Sequence, residues 1–165
     1  MEKKLNLFEV LQNPAIGVIA IHSFIIGYNN VAKHKIDKSD FPSLNSLFFV
    51  LPIVFDNKAL LSIKQELYTT TANNKEITLG LNEKAQKMAG QTFESINLGF
   101  SKKIFLLDKD HYRIEIASQY NKDILSIMKV NDQTLKNIQI HSKRLGNIFA
   151  KKDEKMIQLD LNIRF

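Results

Sequence analysis

The chain has 165 residues, of which 44% are hydrophobic and 24% are charged, a composition typical of one globular domain. It contains no cysteine, which excludes disulfides, cysteine–zinc sites and thiol nucleophiles. The net charge of +6 is uneven, because residues 1–100 carry ten Lys or Arg against nine Asp or Glu, whereas residues 101–165 carry thirteen against eight. An electropositive C-terminal third predicts a polyanion or an acidic protein surface as partner.

The first predicted element is a buried helix from residue 14 to about residue 32. Asn13 followed by Pro14 is a favourable N-cap and first-turn pair, and the sequence that follows is apolar nearly all round. Gly17 and Gly27 each cost a helix about 1 kcal/mol relative to Ala, so their presence predicts close packing against another helix. His22 interrupts the apolar run, and we interpret it as a hydrogen-bonded core histidine rather than as a catalytic group.

The N-terminal part of the sequence lacks the signals of membrane targeting. Its first 14 residues have a basic start but no continuous apolar segment and no small-residue cleavage site. The apolar run Ala15–Tyr28 competes as a membrane anchor, but it is shorter than the roughly 20 residues that a membrane span needs. We therefore predict a cytoplasmic protein with no membrane partner, forming a single domain over residues 1–165.

The stretch 41–55, FPSLNSLFFVLPIVF, is predicted to form the middle of the core because it has no polar side chain from residue 47 onward. Ser43 or Asn45 could cap a helix here. Pro52 must kink, end or restart that helix, because proline lacks an N–H and clashes with the preceding turn. Neither this helix nor the first has a face that tolerates water, so the two are expected to pack side by side.

The next segments are predicted to be helix, loop and helix. Asp56-Asn57 could cap a short helix over residues 58–67, and residues 68–76 are rich in Thr and Asn, as in a mobile loop. Asn82 is predicted to cap an amphipathic helix that ends near residue 99. The apolar side of that helix comprises Ala85, Met88, Ala89, Thr92, Phe93, Ile96 and Phe100.

Two β-like runs, residues 103–107 and 112–117, are joined by the polar segment Asp108–His111 and predict a β-hairpin. The predicted order of elements, helices followed by an amphipathic helix and then a β-hairpin, is that of a winged helix–turn–helix. We therefore predict an α+β fold, predominantly helical, with winged-helix-like helices followed by a β-hairpin and a C-terminal helix. The basic residues of the predicted wing are Lys102, Lys103, Lys109 and Arg113.

A final long helix is predicted to begin after a cap at Asn131 or Asp132. One side of this helix is apolar and comprises Leu135, Ile138, Leu145, Ile148 and Phe149. The opposite side, at about 100° per residue, is basic and comprises Lys136, Lys143, Arg144 and Lys151.

For two segments of the C-terminal third, the sequence does not decide the secondary structure. Residues 120–129 give no clear helix or strand pattern. The tail alternates apolar and polar residues over 157–165, which favours a strand, yet Asp153 could cap a short helix with Ile157 and Leu161 paired on one side.

The sequence contains no recognisable catalytic or metal-binding motif. The four histidines are far apart without metal-ligand spacing, and no GxxxxGK[ST] or GxGxxG phosphate-binding loop occurs. There is no GxSxG nucleophile elbow. We therefore predict a protein without catalytic residues, metal or cofactor, and not an enzyme.

Four short motifs occur in order along almost the whole chain: Asn13-Pro14-Ala15, Phe41-Pro42 leading into Leu47–Pro52, Leu106-Leu107-Asp108 after the amphipathic helix, and Arg144–Ala150. In these motifs and in the order of its elements, the chain resembles the middle component of ABC three-component systems. These are bacterial defence-type operons, and the Lamassu type belongs to their broad class. The sequence departs from the family pattern near its C-terminus, where Lys152-Asp153-Glu154-Lys155 stand in place of a Pro-Ala-Thr-like helix start.

The resemblance implies a non-catalytic adaptor that links an SMC/Rad50-like ABC ATPase to an effector protein, for which a nuclease is one candidate. It transfers no catalytic residue. Within such a complex, the wing residues Lys102, Lys103, Lys109 and Arg113 and the helix residues Lys136, Lys143, Arg144 and Lys151 are the candidates for binding a protein partner or for non-specific DNA contact.

The alternative hypothesis is a free-standing winged-helix DNA-binding regulator that reads the groove with the helix from residue 82 to residue 100. That helix presents Glu83 and Glu94 beside only two bases, Lys84 and Lys87, which is a weak face for reading a groove. The sequence therefore favours the adaptor.

Overall fold

The computed structural model describes residues 12–56 and 75–161. Six α-helices and one two-stranded antiparallel sheet lie in these residues. In chain order they are α1 (Pro14–Ala32), a 3₁₀ segment (Asn45–Phe49) that continues into α2 (Val50–Val54), α3 (Lys75–Ser101), β1 (Phe105–Asp108), β2 (Arg113–Ile116), a 3₁₀ turn (Ser118–Tyr120), α4 (Ile124–Met128), α5 (Gln133–Lys151) and α6 (Glu154–Leu161). The predicted α+β class with a predominance of helix is confirmed, and the specific winged-helix arrangement stays a prediction.

Helix α1 is the central element of the core, and both of its predicted ends are confirmed. The Asn13 side chain accepts a hydrogen bond from the backbone N–H of Ala15 at 2.9 Å, which caps the helix as expected. Helix α5 makes the most extensive contact with α1, and α3 makes the next. The central stretch also contacts α1, as predicted, but less extensively than these two helices do.

Helix α1 is also long and apolar enough to cross a membrane by length and composition alone. In the folded protein, however, 78% of its most apolar window is buried against the rest of the chain. Burial by α3 and α5 on several sides accounts for a helix that is apolar nearly all round.

Glycines at the helix contacts allow the backbones to approach closely, as predicted for Gly17 and Gly27. A Cβ atom on Gly27 would lie less than 3.0 Å from the carbonyl oxygen of Lys143 on α5. From the other side, a Cβ on Gly146 would lie less than 3.0 Å from the carbonyl oxygen of Phe24. At Gly17 the neighbour is the Ser95 side chain on α3.

The central stretch is confirmed as core and changes helix type ahead of its proline. A 3₁₀ segment runs to Phe49, and α-helix begins at Val50, so that Pro52 becomes the third residue of α2. Proline at this position lies in the first turn, where a missing N–H costs no intrahelical bond. Phe49 is buried, and its ring meets that of Phe149 at 5.9 Å between centroids.

Helix α3 begins earlier than predicted. Asn82 lies inside the helix, which starts at Lys75, so the predicted cap at Asn82 is wrong. The predicted loop over 68–76 is likewise wrong for Lys75 and Glu76, which are helical. The remainder of that loop and the predicted helix over 58–67 lie outside the described residues. Leu81 is buried one turn before Ala85, which explains why the helix extends towards the N-terminus.

The β-hairpin forms where it was predicted. Phe105 pairs with Ile116 at one end of the sheet, and Asp108 pairs with Arg113 at the other. The Asp108 carboxylate accepts hydrogen bonds from the backbone N–H groups of Asp110 and His111, and its other oxygen lies 2.9 Å from the His111 ring. Local side-chain bonds of this kind hold the turn.

The described chain after residue 132 forms two helices, α5 and α6. Asp132, one of the two predicted caps, accepts a hydrogen bond from the N–H of Leu135 at 2.9 Å at the start of α5. Asp153 accepts from the N–H of Lys155, and α6 follows with Ile157 and Leu161 buried on one side. The helical alternative for the tail is therefore confirmed, and the strand alternative is wrong up to residue 161.

Candidate protein-interaction surfaces

Three of the predicted wing residues flank β1, two before its start and one after its end. Lys102, Lys103 and Lys109 are all exposed, and we call them the hairpin lysines. Lys103 adopts a left-handed conformation with φ 56°. The N–H groups of Lys103 and of Ile104 bond back to carbonyls of the last turn of α3, which ends the helix and directs the chain into β1.

In the described part of the chain, the outer edge of β1 is open, whereas the outer edge of β2 is covered from Tyr112 to Ile114. Residues 42–44 bond along β2, with the N–H of Leu44 donating to the Tyr112 carbonyl at 2.9 Å and the N–H of Ile114 donating to the Pro42 carbonyl at 3.1 Å. Across the described residues, no segment pairs in the same way with β1. Leu106 is 48% exposed and Leu107 is 38% exposed on this strand. We call this strand border the β1 edge (Phe105–Asp108).

The fourth wing residue, Arg113, is directed away from the hairpin lysines. Its guanidinium donates to the Phe41 carbonyl at 3.0 Å and is hydrogen-bonded to the side chain of Tyr28. Burial raises the pKa of Tyr28, and the charge and hydrogen bond of Arg113 oppose that shift. Arg113 therefore attaches the hairpin to α1 and to the segment before the 3₁₀ helix.

The predicted basic stripe of α5 forms a partly exposed face around one apolar residue. Lys136 donates to Asn131, and Lys143 lies 3.7 Å from Asp123, so these two are held by local partners. Arg144 and Lys151 are exposed. Ile140 lies on the same side of the helix, within about one turn of Lys136, Lys143 and Arg144, and is 60% exposed. We call this the α5 basic face (Lys136, Ile140, Lys143, Arg144 and Lys151).

A polar cleft of about 650 Å³ joins residues from both predicted groups. It lies between the loop that follows α1, the start of β2 and the turn between α5 and α6. Arg113 and Lys151, which belong to different predicted groups, both line it. Sequence reasoning missed the other charged members, among them Lys35, Lys38, Asp153 and Glu154.

Two lysines of the cleft, Lys35 and Lys38, donate hydrogen bonds to carbonyl groups at the C-terminal end of α5. Lys38 donates to the carbonyls of Phe149, at 3.0 Å, and of Lys152. Lys35 donates to the Lys151 carbonyl at 3.2 Å. The last carbonyls of a helix lack intrahelical partners and carry a partial negative charge, so cations are favoured there. Burial, together with the nearby charge of Lys35, lowers the pKa of Lys38.

His22 is a buried, hydrogen-bonded core histidine, as predicted. Its Nε2 lies 2.7 Å from the Tyr120 carbonyl, and its Nδ1 is buried without a hydrogen-bond partner in the described part of the chain. Burial lowers the pKa of His22, although the Tyr120 carbonyl and the charge of Asp123 act in the opposite direction. The ring is therefore neutral near pH 7 and holds the 3₁₀ turn against α1.

An apolar groove of about 380 Å³ lies between α1 and α4. Ile19 and Ile124 form its floor, and Ile127 and Met128 are exposed at its side.

Over residues 12–56 and 75–161, no group of three or more His, Asp or Glu residues is arranged to hold a metal ion.

Comparisons with known proteins identify one family. No curated protein and no solved structure gives a significant match to the chain. The family described as ABC-three component (ABC-3C) system Middle Component 3 matches residues 1–165, the full length of the sequence. This agrees with the resemblance found in the sequence, and the chain belongs to the Middle Component 3 family of ABC-three component systems.

Proposed function

We propose that this middle component is a non-catalytic adaptor that links an SMC/Rad50-like ABC ATPase to an effector protein in a bacterial anti-phage defence system. It acts in the cytoplasm. Membership in a system of several components supports the existence of partners within that system. An adaptor needs surfaces that other proteins can bind.

The α5 basic face is the observation that carries this proposal. Stable protein interfaces commonly have an apolar centre within a polar rim, and arginine is enriched in them. On α5 the exposed side chain of Ile140 lies within about one helical turn of three cations, Lys136, Lys143 and Arg144, of which Arg144 is itself exposed. The natural counterpart of such a face is an acidic protein surface with an apolar contact at its centre.

The exposed side of α3 supports a protein partner over a free-standing DNA regulator. Glu83 and Glu94 are exposed on this helix beside Lys87. The remaining base that was considered, Lys84, forms an ion pair with Asp56. A helix that reads DNA in the major groove approaches closely spaced phosphates and needs an excess of positive charge.

Affinity purification of the three co-expressed components tests the adaptor. The tagged chain is expected to retain both the ATPase and the effector. The double variant Lys143→Glu with Arg144→Glu reverses two charges of the α5 basic face and is expected to lose at least one component. The control, Lys87→Glu with Lys155→Glu, reverses two exposed charges elsewhere and is expected to retain both.

Two results would count against this function. One is a wild-type chain that purifies without either component at low and at high salt. The other is equal retention of both components by the α5 variant and by its control, which would leave the α5 basic face without a role. Circular dichroism and the thermal midpoint of each variant show whether the fold is intact.

A further inference from the structure

We propose that the β1 edge binds an extended acidic segment of the ATPase or the effector, which adds a third strand to the hairpin. This inference rests on the proposed adaptor function and specifies where and how one partner is held. Addition of a strand to an exposed sheet edge is a recurring mode of peptide recognition, in which main-chain hydrogen bonds supply affinity and side-chain contacts supply specificity.

The pairing of the hairpin identifies the main-chain groups available for a third strand. The N–H of Ala117 donates to the Ile104 carbonyl at 3.0 Å, and Leu106 is opposite Glu115 in the same register. In an antiparallel ladder, residues alternate between bonding to the partner strand and bonding outwards. The N–H and C=O groups of Phe105 and Leu107 therefore point outwards from the sheet, towards the open edge.

The side chains of β1 offer apolar contacts on both faces of the same strand. Adjacent residues of a strand point to opposite faces of its sheet. Leu106 and Leu107 are adjacent and are 48% and 38% exposed, so each face carries one partly exposed leucine. An added strand with apolar residues beside them would cover both.

The hairpin lysines favour an acidic segment as the strand that binds the β1 edge. Lys102 and Lys103 are exposed just before β1, and Lys109 is exposed just after it. Carboxylates near both ends of an added strand would face these lysines. A second copy of this chain fits less well, because an antiparallel copy would bring its Lys109 towards Lys103 of the first, and like charges across strands destabilise a sheet.

Hydrogen exchange on the co-purified complex tests the inference directly. In peptides that cover residues 103–109, two amides, those of Phe105 and Leu107, are expected to exchange at least about tenfold more slowly in the complex than in the free chain. Peptides over 112–115 serve as the internal control, because the Tyr112 carbonyl and the Ile114 N–H are already bonded to residues 42–44, and Arg113 and Glu115 pair with β1.

Two substitutions at one position separate main-chain from side-chain contributions. Leu107→Pro removes an N–H that points away from β2, a position where a sheet edge tolerates proline, and is expected to release the segment. Leu107→Ala keeps the N–H and is expected to retain the bound segment more firmly than Leu107→Pro does. A charge variant, Lys103→Glu with Lys109→Glu, is expected to weaken retention without any change at the backbone.

The outcomes distinguish this inference from the adaptor function. If a complex forms while residues 103–109 exchange as in the free chain, the adaptor stands and the edge proposal is wrong. Protection in the free chain that rises with its concentration would assign the edge to a second copy and overturn the proposal. If neither component is retained, the adaptor function fails and the edge proposal fails with it. Equal retention by Leu107→Pro and Leu107→Ala, with unchanged thermal midpoints, would also contradict it.

Discussion

At the scale of single residues, the buried imidazole of His22 couples the fold to pH. Its Nε2 lies 2.7 Å from the Tyr120 carbonyl, and its Nδ1 has no partner among the described residues. Protonation would place a second N–H in a buried site without an acceptor. The pKa of this ring is accordingly lowered from the ordinary value of 6.5 by burial.

The expected consequence is a loss of stability on acidification. Below pH 6.5 the unfolded chain binds a proton at His22 that the folded chain does not, so the free energy of unfolding falls until the pH passes the lowered pKa. The thermal midpoint, measured from pH 7.5 to pH 5, is expected to show this fall. His22→Gln should flatten the curve, whereas His34→Gln, at an exposed histidine, should not. Parallel curves for wild type and His22→Gln would contradict the assignment.

The aromatic contacts of the core give a second prediction at this scale. Phe49 is 1% exposed and lies against Phe149, which also meets Phe24 at 5.3 Å between ring centroids. Phe49→Ala is expected to lower the free energy of unfolding by about 3–5 kcal/mol, because it leaves a cavity among these rings. Urea denaturation measures the change. Phe93→Ala, at a residue that is 54% exposed, should cost clearly less, and equal costs would sink the core assignment.

At the scale of elements, the contact between α1 and α5 depends on glycine. A Cβ on Gly27 would press on the Lys143 carbonyl, and a Cβ on Gly146 would press on the Phe24 carbonyl. Both obstacles are backbone atoms, which cannot rotate away. Two helices of the core are therefore held at a separation that no larger residue permits at these positions.

Gly27→Ala is accordingly expected to destabilise the protein by about 1–3 kcal/mol, because the two helices must separate to admit a methyl group. Gly90 on α3 provides the control, since nothing lies within 4 Å of a Cβ placed there. Gly90→Ala should raise stability by about 0.5–1 kcal/mol through helix propensity alone. Urea denaturation midpoints report both, and equal shifts in the same direction would contradict close packing at Gly27.

Elements with strong local signals were predictable from the sequence. Asn13 with Pro14 marked the start of α1, and Asp132 was one of two caps considered for α5. The start of α3 could not be predicted in this way, because Asn82 has the pattern of a cap residue and the burial of Leu81 depends on contacts that the sequence does not show. In the tail, two buried residues at helical spacing, Ile157 and Leu161, decided between patterns that the sequence alone could not separate.

The candidate surfaces were only partly predictable. The hairpin lysines follow from sequence because they flank a single strand. The placement of Arg113 does not, since its partners, Phe41 and Tyr28, are distant in the chain. The roles of Lys35 and Lys38 could not be predicted either, because the carbonyls that they bond lie more than 100 residues later and carry no side-chain signature.

At the scale of the whole molecule, the positive charge is divided between the hairpin lysines and the α5 basic face. If either group contacts DNA, binding is expected to be independent of sequence and to weaken steeply with salt. With four or five phosphates neutralised, the logarithm of affinity should fall with a slope of about −4 against the logarithm of salt concentration. Fluorescence anisotropy on unrelated duplexes measures this. A tight, sequence-specific complex of the isolated protein would restore the DNA-regulator hypothesis.

The contact between α1 and α5 has a consequence for folding during synthesis on the ribosome. Helix α1 is synthesised first, yet its main packing partner begins at Gln133, about 100 residues later. At a translation rate of about 5–20 residues per second, this long apolar helix remains for several seconds without the helix that buries it. The nascent protein is thus expected to be a client of ribosome-associated chaperones, and a chain that stops before α5 is expected to aggregate.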